Sequence, residues 1–267
     1  MMRKRAAVLL SLVERFHPEE SQALLDHLSN REQAAIREVT VGPLKKEPLS
    51  ASVQVAIGAY HPSWIEQALT KEPPERRPLY QSAIAGKLSP APTAFLLGNL
   101  LNLLGAPTVV PLACLSPSPL QSLIELDGRV LVRLIGYLGL IDLADEMKKT
   151  IESRLLREID ALLTDGQRKF LKRWIQLSDP VPGPHHGLAA WISDFQRQSQ
   201  QSGLIRLGRA LSHHDRSFIW HLAHRIDSGR GRWIMRHAQE TVAPKMAEKL
   251  TEQVETTIEF LQLGALA

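Results

Sequence analysis

Apolar residues return at helical spacing along nearly the whole chain. Ala6, Leu9, Leu10 and Val13 share one face, as do Leu131, Leu134, Ile135 and Leu138, and again Leu155, Leu156, Ile159 and Leu162. This i, i+3, i+4, i+7 rhythm predicts amphipathic helices with one buried stripe each. The strict alternation that half-buried strands show is nearly absent, and only Leu49–Ile57 reads either way. Clusters of Pro, Gly and small polar residues interrupt the rhythm at Gly42–Pro48, Pro73–Pro78, Gly105–Pro119 and Ser178–Gly187. The pattern predicts an all-α protein.

A short motif recurs at the helix junctions: a Leu, then Ser or Thr, then an apolar residue eight positions after the Leu. It appears as LSNREQAAI (Leu28–Ile36), LSPAPTAFL (Leu88–Leu96), LTDGQRKFL (Leu163–Leu171) and LSHHDRSFI (Leu211–Ile219). The Leu closes one helix on its buried face, and the hydroxyl caps the next by accepting a free backbone N–H. Glu32 and Gln167 stand three residues after their caps, where a capping box places them. The recurrence predicts stacked helix hairpins, armadillo-like modules in two or three domains. On this reading Ser212 caps a helix whose first turn holds His213, His214 and Asp215.

Breakers and charge divide the chain into a helical N-terminal domain (1–104), a Pro-rich linker (105–120), central helical hairpins (121–178), a second linker (179–187) and a basic C-terminal helical module (188–267). The 267 residues suffice for two or three small cores, and 44% hydrophobic content argues for a folded chain. Net charge is only +4, so the basic character is local. Arg206, Arg209, Arg216, Arg225, Arg230, Arg232 and Arg236 face only Asp215, Asp227 and Glu240 in their stretch. Residues 88–124 carry no charge, yet the helical part, roughly Thr93–Leu104, is shorter than the ~20 residues a bilayer demands. The opening MMRKRAAVLLSLVERF suits an amphipathic helix better than a signal peptide. One cysteine, Cys114, rules out an internal disulfide and fits a reducing cytoplasm.

Four groups of residues bear on chemistry. His214–Asp215, with His185 and His186 upstream, is the kind of pair an HD-type metal phosphohydrolase uses; here Arg-Ser-Phe follows it, not small apolar residues. His221 and His224 share a helix face and, with His237, raise a zinc site, but no Cys or HExxH glutamate accompanies them. The Arg cluster interleaved with Trp220 and Trp233 would suit phosphates and bases, while the two indoles serve equally as core anchors. Ala247, Leu250, Val254, Ile258 and Leu261 form the stripe of a last helix that closes its domain or meets a partner. Gly-rich phosphate loops, GxSxG and CxxC are missing from the sequence. These readings predict no catalytic activity, no cofactor and no structural metal.

Arg5–Val39 carries Ala6, Ala7, Leu9, Leu10, Leu12, Leu25, His27, Leu28, Ser29 and Glu32 in an Ala-Ala-aliphatic helix followed by a Leu-x-His-Leu-Ser hairpin. This stretch resembles the opening helices of the flagellar motor switch protein family FliG. Gly208–Met235 resembles that family's torque-bearing module, with Ala210, Leu211, Asp215, Ile226 and Ser228 at matching places when one residue is inserted. The chain departs from the family at His61-Pro62-Ser63, where a Glu-His-Pro-Gln motif belongs, in lacking a Gly-Gly hinge, and in carrying His and Arg where the torque helix alternates Arg with Asp. The resemblance therefore implies an adaptor at the cytoplasmic base of a type III secretion or flagellar-type export apparatus, in the position of the SctK family. Leu9 and Leu12 would meet a membrane-ring protein. Arg216, Trp220, Arg225, Arg230, Arg232 and Arg236 would meet an acidic, C-ring-like platform partner. The expected location is the cytoplasmic face of the inner membrane, peripheral at most, with homo-oligomerisation left open. The alternatives are a nucleic-acid-binding helical regulator and the HD-type phosphohydrolase.

Overall fold

The computed structural model describes residues 57–106, 109–110, 114–177 and 187–264. Leu9, Leu12, the Leu28–Ile36 hairpin, His185, His186 and all of Leu49–Ile57 except Ile57 lie outside or at the edge of that range. The described residues form an all-α protein without strands. The helices are α1 (Pro62–Thr70), α2 (Arg77–Ile84), α3 (Pro90–Leu104), α4 (Ser122–Glu125), α5 (Gly128–Lys149), α6 (Ser153–Leu162), α7 (Asp165–Leu177), α8 (Leu188–Ser193), α9 (Phe195–Ala210), α10 (Arg216–His224), α11 (Ser228–His237) and α12 (Pro244–Gly264).

Helix α5 is buried nearly all round, from Leu131 to Glu146. Asp127 starts it by accepting the Arg129 N–H at 2.8 Å, and Lys148 and Lys149 sit at its negative end. Helices α7, α8, α9 and α12 pack around it, and α9 makes the most extensive contact. That contact is close because glycines line both sides. A Cβ on Gly139 would overlap the Ser199 carbonyl, and one on Gly203 would overlap the Ile135 carbonyl. On the opposite flank Phe170 of α7 meets Tyr137 of α5 edge-on (5.2 Å) and Phe260 of α12 (5.1 Å), a ring cluster that ties three helices together. Residues of the central hairpins and of the C-terminal module thus share one core, from Leu115 to Leu261.

A smaller core gathers Ile57, Ala68, Leu69, Tyr80, Ala83, Leu97 and Leu100 from α1–α3. The uncharged helix α3 starts at Pro90, where the missing N–H costs nothing, and ends at Gly105, whose φ of 80° forms a left-handed cap. Among the described residues no helix is long and apolar enough to cross a membrane.

The capping motif holds at one junction, shifts at another, and at a third leaves Ser89 before α3 without a side-chain cap bond. Before α7, the Gln167 backbone N–H donates to Thr164 Oγ1 (3.3 Å), and the Thr164 N–H donates to Gln167 Oε1 (2.9 Å), a reciprocal capping box. Before α10, Asp215 rather than Ser212 caps the helix, accepting the Ser217 N–H at 2.7 Å. His213 and His214 therefore precede the helix instead of opening it. A carboxylate beside the positive helix end out-competes a hydroxyl three residues earlier, and Ser212 Oγ is left buried without a partner.

Candidate functional site

The His- and Arg-rich stretch folds into two short helices, each started by an aspartate. Asp215 caps α10, and Asp227 caps α11 by accepting the Arg230 N–H at 3.1 Å. The corner between them receives Trp64 from α1. Its indole N–H donates to the Ile226 carbonyl (2.9 Å) and, more weakly, the Ala223 carbonyl (3.3 Å). The Ser228 N–H donates to Ser63 Oγ (2.9 Å), and the His61 N–H donates to the His224 carbonyl (2.8 Å). Gly231 on α11 makes room, since a Cβ there would lie 2.7 Å from the Trp64 ring.

His224 completes this joint. It is 2% exposed, stacked between Trp64 (4.0 Å) and Trp220 (3.8 Å), with Tyr60 edge-on at 5.9 Å. Nδ1 lies 2.8 Å from the Trp220 carbonyl, so it carries the hydrogen and donates. Burial pushes the ring's pKa down to about 4, against the pull of that carbonyl, and His221 lowers it further. His224 is therefore neutral at physiological pH.

The other imidazoles point elsewhere. His221 Nε2 faces the Val110 carbonyl (2.9 Å), His213 Nε2 the Val242 carbonyl (2.9 Å), His214 Nδ1 Ser118 Oγ (2.9 Å), and His237 Nδ1 Glu240 Oε1 (2.5 Å). The shared helix face that raised a zinc site from His221, His224 and His237 is thus split among three neighbourhoods. Among the described residues no group of three or more His, Cys, Asp or Glu is placed to hold a metal ion. His214 and Asp215 likewise serve different elements, a loop serine and a helix end.

The arginines divide into occupied and open. Arg206 is buried against Asp142 and Asp145 of α5 and donates to Gln253 Oε1 of α12 (2.6 Å). Burial pushes the Asp142 carboxyl above its usual range although Arg206 pulls it down. Arg209 pairs with Glu240 (2.7 Å), Arg230 pairs with Asp227 (2.6 Å), and Arg225 donates to the Leu126 carbonyl (3.0 Å). Arg232 reaches Gln67 and lies over the Trp64 ring. Arg216 and Arg236 are exposed, and neither has a charged partner among the described residues. Trp220 is half-buried in the joint, while Trp233 is 36% exposed.

An open groove of about 730 Å³ runs beside this region, lined by His213, Arg216, Trp220, Met235, Glu240 and their neighbours. It combines a free guanidinium with an indole edge and a thioether. The Arg209 and His237 side chains already engage the Glu240 carboxylate and hold its pKa below the usual range against the effect of burial. Sequence reasoning missed the part played by Trp64 and Tyr60, which lie far upstream in a stretch without motif character. It also missed the Asp142–Arg206 pair, although Asp142, Asp145 and Glu146 interrupting an otherwise apolar helix were a readable signal. Compared with known proteins, the chain matches no family model, no curated protein and no solved structure.

Proposed function

We propose that the protein is a non-catalytic helical adaptor whose C-terminal module binds an acidic partner through the Arg216–Trp220–Met235 groove. One observation carries the reading: the cluster with the most chemical promise is spent on structure. His224 is clamped between two indoles, Arg225 is turned inward onto the Leu126 carbonyl, Arg230 is paired with Asp227, and the open guanidinium of Arg216 is left on a concave, partly apolar surface. Such a surface suits protein recognition, where energy concentrates in a few aromatic and Arg side chains. The finer placement rests on the resemblance of Arg5–Val39 and Gly208–Met235 alone. It assigns the adaptor to the cytoplasmic base of a type III secretion or flagellar-type export apparatus, joining an inner-membrane ring to platform proteins.

Affinity capture of the tagged full chain from envelope fractions tests both levels. The expected result is recovery of ring or platform proteins, lost on Arg216→Glu. Recovery of nucleic acid alone, with binding that falls steeply between ~50 and ~200 mM salt, would establish the regulator instead. Stoichiometric metal in the purified chain would establish the phosphohydrolase.

A further inference from the structure

A second groove, of about 580 Å³, lies on the other side of the His213–His214 corner and is acidic where the first mixes Arg216 with Glu240. Its floor is Ala210, Phe218 and Ala247, all buried and two of them small. Exposed Pro117 and Pro119 form one lip. The other lip is the exposed face of α12, where Glu248, Glu252 and Glu255 stand at i, i+4 and i+7, with Asp215 opposite. These three glutamates span about 10 Å of helix. No Lys or Arg lines the groove, in a chain where Lys and Arg (32) outnumber Asp and Glu (28). None of the three glutamates has an ion-pair partner among the described residues. Like charges at this spacing repel one another along the helix. Lys245 and Lys249, three positions before Glu248 and Glu252, offset part of this repulsion, and a cationic visitor relieves the rest.

We infer that this groove docks a cationic amphipathic helix of a partner protein. Lys or Arg side chains at i, i+4 and i+7 of that helix meet Glu248, Glu252 and Glu255, and its apolar stripe lies along the exposed Pro117, Pro119 and Pro244. The sign of the charge turns nucleic acid and anionic lipid away from this face. His214, whose ring burial keeps neutral, does not cancel the carboxylates. The inference uses a different groove from the one under the proposed function and stands or falls without it.

The test is fluorescence anisotropy of a labelled amphipathic Leu–Lys helical peptide titrated with the full chain, beside a Leu–Glu peptide of equal length. Saturable binding of the Lys peptide alone is expected, weakening as salt rises from ~50 to ~200 mM. The triple variant Glu248→Gln, Glu252→Gln, Glu255→Gln should bind about five- to tenfold less tightly. These positions are exposed, and an unchanged circular dichroism spectrum confirms an intact fold. Equal binding by the triple variant, or no saturable binding, overturns the inference. So does a concentration-dependent dimer that the triple variant abolishes, because the groove's occupant is then a second copy of this chain.

Discussion

The imidazole of His224 lies 4.0 Å from the Trp64 indole on one face and 3.8 Å from Trp220 on the other, so water reaches little of it. Its folded pKa, lowered to about 4, sets a sign for stability against pH. Above the ordinary histidine value near 6.5, folded and unfolded chains both hold the ring neutral, and stability is full. Between that value and about 4 the unfolded chain takes up a proton that the folded chain refuses, and stability falls. Below about 4 this contribution no longer changes. The full loss amounts to about 3 kcal/mol. His221 acts in the same direction as burial. His224→Phe should keep the stack and flatten much of this slope, which urea unfolding at about pH 7 and about pH 5 measures directly. An unchanged difference between the two pH values would remove His224 as its source. Arg206 gives a second prediction at this scale. Arg206→Met leaves the Asp142 carboxylate buried without the guanidinium that faces it, and should cost about 3–5 kcal/mol in chemical denaturation. The sequence displayed both sets of charged residues but not their burial. Spacing along one helix cannot show that a tryptophan from another module closes over a histidine, or that two charges distant in the chain pair in the core.

At the scale of elements, the α5–α9 crossing depends on missing side chains. Gly139 faces the Ser199 backbone and Gly203 faces Ile135. Gly203→Ala should force the helices apart and cost about 2–4 kcal/mol. Ser202 beside it is fully buried with no partner for its hydroxyl. Ser202→Ala should be neutral or slightly stabilising, because it removes an unsatisfied polar group and little volume. Thermal denaturation of the two variants separates close backbone approach from ordinary burial; equal losses would contradict the account. Helix identity was legible here, since apolar spacing marks α5 and α6 clearly. The Thr164–Gln167 box was legible too, because both halves of the motif are local in sequence. The α10 cap was misplaced because Ser212 and Asp215 are both good caps, and only tertiary packing chooses between them. The glycine-lined crossing had no signature of its own, as a glycine inside a helical pattern reads as a weakness until its neighbour is known.

For the whole molecule, Trp64 is the main tie between the small core of α1–α3 and the large core around α5. Trp64→Ala removes an indole that is 8% exposed, with its two hydrogen bonds and its stack on His224. It should cost about 3–5 kcal/mol of docking energy while leaving the large core folded. Hydrogen exchange should then speed up in α1 and the start of α11 but not in α5; uniform acceleration would show a single cooperative unit instead. Of the two grooves flanking His213 and His214, one holds Arg216 together with Glu240 and the other carboxylates alone, and charge counts over the chain could not reveal that separation. On the proposed function, the histidine cluster is structural and the Arg216 groove meets the partner. Quantitative recovery of envelope partners by the full chain, compared between His224→Phe and Arg216→Glu, tests this most directly. The prediction is near-complete recovery with the first variant and loss with the second. Loss with His224→Phe in a folded chain, with Arg216→Glu unaffected, would contradict it.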